Sequence, residues 1–154
     1  MFFVNPNAWP PRWLEKREQR HQLLERVQSA GGWEALKRDC IALAKQHQDD
    51  QFVWYYGDLN SLPPAIAALK PKDVTYYSPK VLKDFPEERH LSIVRIMIFG
   101  QHPTMGHTVP EFGLEVMCGD SGEIYEPPPR PYITAPAVVY WQSQKVADGI
   151  YEIY

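Results

Sequence analysis

Two stretches of alternating residues, Ile93 to Phe99 and Phe112 to Cys118, constrain the fold more than any other feature of the chain. A period of two marks a strand, because successive side chains point to opposite faces of a sheet. In the first run Val94, Ile96 and Ile98 share one face, and Ile93, Arg95, Met97 and Phe99 share the other. In the second, Phe112, Leu114, Val116 and Cys118 share a face, with Glu115 opposite. One antiparallel register sets Val94 across from Val116 and Arg95 across from Glu115. Apolar then meets apolar on one face and cation meets anion on the other. The spacing predicts a hairpin. Its connection, Gly100 to Glu111, is too long for a simple turn, and long loops are often functional.

The N-terminal third has the other period. Asn7-Ala8-Trp9-Pro10-Pro11 opens a helix, since proline fits the first turn, where its missing N–H is not needed. That helix is expected from about Arg12 to Gln28, ending at Gly31-Gly32, a glycine stop signal. Trp33, Leu36, Cys40, Leu43 and Ala44 then recur at helical spacing, with Lys37, Arg38 and Lys45 outward, up to the polar stretch Gln46 to Gln51. The two segments form a helical hairpin joined by the glycines.

Shorter elements follow. Phe52 to Tyr56 and Val74 to Tyr77 read as strands, and Ser61 to Leu69 and Ser78 to Phe85 as short proline-opened helices. Gly119-Asp120-Ser121-Gly122 is a tight turn into Ile124-Tyr125, and Pro127-Pro128-Pro129-Arg130-Pro131 is extended polyproline, a stiff connector or a ligand for an aromatic groove. Ala137 to Trp141 reads as a strand, Asp148-Gly149 as a two-residue hairpin turn, and Ile150 to Tyr154 as the returning strand. On that strand Tyr151 and Ile153 are expected on the buried side and Glu152 opposite, with Ile150 and Tyr154. The expected fold is α+β: one domain over residues 1–154, an N-terminal helical hairpin packed on a mostly antiparallel C-terminal sheet.

Composition narrows the function classes. With 154 residues and 44% hydrophobic content, the chain can bury a sizeable core without disulfides or metal. No apolar run approaches the ~18 residues of a membrane span, and the start has no secretory pattern. Two cysteines, Cys40 and Cys118, fit a reducing cytoplasm and apolar core positions, with no disulfide between them. A net charge of −3 and the lack of a recognisable motif argue against nucleic acid. The charge is uneven. Residues 1–48 carry eight Lys/Arg and five Asp/Glu, a net of +3, and residues 49–154 a net of −6.

On a helical wheel Trp13, Leu23, Leu24 and Val27 fall in one arc, and Arg12, Lys16, Arg17 and Arg20 fall in or beside it. These basic residues either lie over acidic side chains of their own domain, or sit in solvent with their aliphatic stems covering core, or meet an acidic surface on another subunit or partner. Two sites have chemistry of their own. His102, His107 and Glu111 in the long loop are nitrogen and oxygen ligands suited to a divalent transition metal, though their spacing matches no metal motif. Cys118 with Asp120 invites a nucleophile reading, and of the histidines only His90, at the entry of the first strand, shares their end of the hairpin. Aromatic neighbours such as Tyr76 and Tyr77 must point to opposite sheet faces, so both faces carry aromatics. The expectation is a non-catalytic, cytoplasmic module for protein–protein contact or self-association through the first helix. The alternative is a small metal-dependent hydrolase built on the histidine loop.

Overall fold

Among the described residues six strands form one antiparallel sheet in the order β1-β2-β3-β4-β6-β5. They are β1 Phe52–Trp54, β2 Asp73–Tyr77, β3 Leu91–Phe99, β4 Phe112–Gly119, β5 Ser143–Ala147 and β6 Ile150–Ile153. Helices α1 Trp9–Ser29, α2 Gly32–Gln46 and α3 Pro64–Ala67 precede or interrupt them, giving the expected α+β fold with its helical hairpin on the sheet. The computed structural model describes residues 9–48, 52–54, 59–79, 91–99, 112–119, 122–126 and 143–153, with 9–16, 52–54, 91 and 143 described in backbone only. The expected strand at 137–141, the polyproline run at 127–131, most of the helix expected at 78–85 and the loop at 100–111 lie outside these residues.

The register of the central hairpin is the one that alternation predicts: Val94 pairs with Val116 and Arg95 with Glu115. Val94, Ile96, Leu114, Val116 and Cys118 therefore face the helices. There they join Val74 and Tyr76 of β2, Ile150 of β6, and Leu23, Val27, Leu36, Cys40 and Leu43 of α1 and α2 in one buried core. Burying each large side chain of this kind contributes about 1.5–3 kcal/mol. On the far face Ile93, Met117 and Tyr151 form a smaller cluster with Tyr77 and Tyr125 packed on it.

Phe99 departs from its expected face. A bulge between Met97 and Phe99 inserts one unpaired residue, so Phe99 pairs with Phe112 and packs on the helix-side core rather than beside Met97. Gly113 permits the close approach there. A Cβ at that position would collide with the Ile96 carbonyl oxygen. Arg26 of α1 stacks over the Phe99 ring at 5.0 Å and donates to the Leu69 carbonyl at 3.0 Å, tying the helix layer to the end of β3.

The C-terminal hairpin turns at 148–149 as expected, but β6 pairs with Ser143–Ala147. One of its faces also differs from expectation. Tyr151 and Ile153 are buried on the far face, and Ile150 and Glu152 are buried as well, under the helices. A carboxylate is tolerated at position 152 because α1 supplies a cation above it.

Helix α3 shows why tertiary contacts set local structure here. Pro63 occupies its cap position and Pro64 its first turn, so neither provides a side-chain cap. Asp39 of α2 supplies it from a distance: its Oδ2 accepts the Ala65 backbone N–H at 2.7 Å, and the carboxylate is buried. Replacing Asp39 with alanine is expected to lower stability by about 1–2 kcal/mol, and replacing it with asparagine by less, as read by urea unfolding. Equal losses for the two variants would contradict the capping role.

Candidate functional site

The basic side of α1 is built by helical spacing, and the structure divides it. Arg20 lies over the sheet. Its Nε stands 3.0 Å from both carboxylate oxygens of Glu152 and its Nη2 donates at 2.8 Å, a bidentate pair with a carboxylate that is only 2% exposed. Leu23 and Val27, one and two turns further on, enter the core. Leu24 does not. The wheel sets it in the apolar arc, yet it is 41% exposed, because the arc that reaches the sheet is centred on 20, 23 and 27. Arg17 is exposed seven residues before Leu24, on the same stripe of the helix. Beside that stripe His21 and Glu25 form an exposed i,i+4 pair at 3.1 Å. The side chains of Arg12 and Lys16 lie outside the described residues.

Cys118 is fully buried on the helix side of β4, and burial pushes its thiol from an ordinary 9.0 up to about 12. Cys40 is equally buried on α2 and its thiol is raised well above the ordinary value, by burial first and then by the neighbouring Cys118 and Asp39. Both are free thiols. A nucleophilic cysteine needs a depressed pKa and access, and Cys118 has neither. His90, Asp120, His102, His107 and Glu111 lie outside the described residues. Among the described residues no three His, Cys, Asp or Glu side chains gather as metal ligands, and no helix is long and apolar enough to cross a membrane.

The far face holds a buried polar centre. Arg95 places Nε and Nη2 each 2.9 Å from Oε1 of Glu115, and its Nη1 donates to the Tyr77 hydroxyl at 3.2 Å. The ion pair is legible from the register. Tyr77 joins it from β2, where it stands opposite Ile93, a contact between non-adjacent register positions that alternation alone does not reveal. At the C-terminal turn, Glu126 accepts the Gly149 N–H and the Tyr151 hydroxyl and pairs with Lys145 at 3.2 Å, pinning the β5–β6 hairpin. Each of these charges is occupied in holding strands or turns.

Comparison with known proteins finds no matching protein family, no matching curated protein and no matching solved structure.

The raised thiol has a consequence in solution. A thiol whose pKa is higher folded than unfolded stabilises the fold fully below its unfolded value. That contribution is lost as pH rises from 9.0 toward about 12, where the unfolded chain ionises first. Unfolding free energy is expected to fall with pH in this window, and Cys118→Val to lessen the fall by about 1.4 kcal/mol per pH unit. An unchanged slope in the variant would contradict the burial of this thiol.

Proposed function

We propose that this chain is a non-catalytic protein–protein contact module that self-associates through the outward stripe of α1. The observation that carries the reading is the exposure of Leu24 in line with Arg17, on a helix whose neighbouring positions 20, 23 and 27 are committed to the sheet. An exposed apolar side chain in line with an exposed cation is the composition of a contact patch that both steers and buries. The occupant proposed is a second copy. The chain itself supplies the complementary charge, since residues 49–154 carry a net of −6 against +3 for residues 1–48.

Arg20 is not part of this patch. Its charge is satisfied by Glu152, and reversing it would place two carboxylates together under the helix layer. Arg17 and Leu24 are the positions to change. Sedimentation at low and high salt is expected to show the parent larger than a monomer at low salt and shifting toward monomer as salt screens the contact over ~10 Å at 0.1 M. Arg17→Glu/Leu24→Lys is expected to be monomeric throughout, with the parent's melting temperature. A parent that is monomeric at every salt concentration, or a variant that associates as the parent does, would overturn the proposal.

A further inference from the structure

The connection between the first two helices is unusually short and is made of residues in a special conformation. Helical hydrogen bonding in α1 continues to Ala30, whose N–H donates to the carbonyls of Arg26 and Val27 at 3.1 and 3.2 Å. α2 begins at Gly32. The reversal therefore rests on Gly31 and Gly32, both in the left-handed region, with φ of 106° and 81°. A side chain at Gly31 is excluded twice, by φ and by a contact of 2.9 Å between its Cβ and that of Ala35. If these two residues took ordinary helical angles, α1 and α2 would be one continuous helix and α1 would leave its own sheet.

What α1 would leave behind is a specific seat. Glu152 and Leu114 are paired in the ladder and share the helix-side face, with Ile150 beside them, all buried. In the closed chain the Arg20 guanidinium covers Glu152, and Leu23 and Val27 join the same helix-side core as Leu114 and Ile150. An uncovered carboxylate among apolar side chains strongly favours a helix carrying an arginine one turn before a leucine. A second copy of this chain carries that helix.

We infer that α1 is an exchangeable arm, hinged at Gly31-Gly32, whose Arg20–Glu152 and Leu23/Val27 contacts form either within one chain or between two copies. Exchange reuses the contacts of the closed chain, so its cost is confined to the hinge and to association. The glycines set the balance toward the closed form, because left-handed angles suit glycine and helix interiors do not. This inference does not use the stripe containing Arg17 and Leu24, which flanks the arc that faces the seat.

The test uses the charge pair. An Arg20→Glu chain has two carboxylates at its own seat, and a Glu152→Arg chain has two cations. In an exchanged heterodimer of the two, both seats regain an opposite-charge pair. Co-refolding an equimolar mixture in 0.5 M salt, followed by native mass spectrometry, is expected to give a one-to-one heterodimer that neither variant forms with itself. The Arg20→Glu/Glu152→Arg chain, which restores the pair within one molecule, is expected to be monomeric and folded. If that control folds and the mixture yields no heterodimer, the inference is overturned. A second variant is independent of charge. Gly31→Ala/Gly32→Ala penalises the turn and favours the continuous helix, which is expected to tighten dimerisation by on the order of a hundredfold or more. That dimer should persist in high salt and with Arg17→Glu added, unlike an association through the outer stripe. A double-alanine chain that is monomeric, or that fails to fold, overturns the inference whatever the charge variants do.

Discussion

Arg95 and Glu115 face each other across the two central strands, with one carboxylate oxygen 2.9 Å from two guanidinium nitrogens and both residues almost fully buried. A one-residue slip between β3 and β4 would carry one strand's whole pattern to the other face and set a charge among the helix-packed side chains. Removing one partner of such a pair costs about 3–5 kcal/mol, against a typical stability of ~5–15 kcal/mol, because the other is left as a buried charge. Replacing both by apolar residues is often neutral, so the pair contributes specificity of register more than net stability. From that register follow the helix-side core, the far-face cluster, and the position of β6 with Glu152 beneath α1.

Charge recurs as the means by which layers are held together. Arg20 joins α1 to β6, Asp39 joins α2 to α3, Arg26 joins α1 to the end of β3 and to Leu69 just beyond α3, and Glu126 closes the last hairpin. All four are contacts between residues far apart in sequence. They make the excess of positive charge in the first third and negative charge in the rest an architectural feature before it is a binding one.

The strands β3 and β4 were legible because two faces with different chemistry must match at once, and only one register does so. The helical hairpin was legible from a 3.6-residue stripe and a pair of glycines. The bulge that turns Phe99 was not, since an inserted residue leaves no mark in alternation, and a glycine at position 113 fits a regular strand end as well as a bulge. Nor was β5, whose Ser143, Gln144 and Lys145 suit an edge strand but are overshadowed by the more strand-like residues before them. The wheel found the basic side of α1 but placed Leu24 inward, because an arc drawn from apolar residues alone ignores an arginine that packs. Glu152 read as solvent-facing for the same reason: its partner lies 132 positions away in sequence.

The pairing of β3 with β4 is the claim on which the rest depends, and backbone contacts between the strands measure it directly. Cross-strand nuclear Overhauser effects, recorded on the full chain, are expected to place Val94 opposite Val116 and Arg95 opposite Glu115, with the pattern broken between Met97 and Phe99. Contacts that instead set Val94 opposite Glu115 or Met117 would contradict the register, and with it the placement of both sheet faces and of the seat for α1.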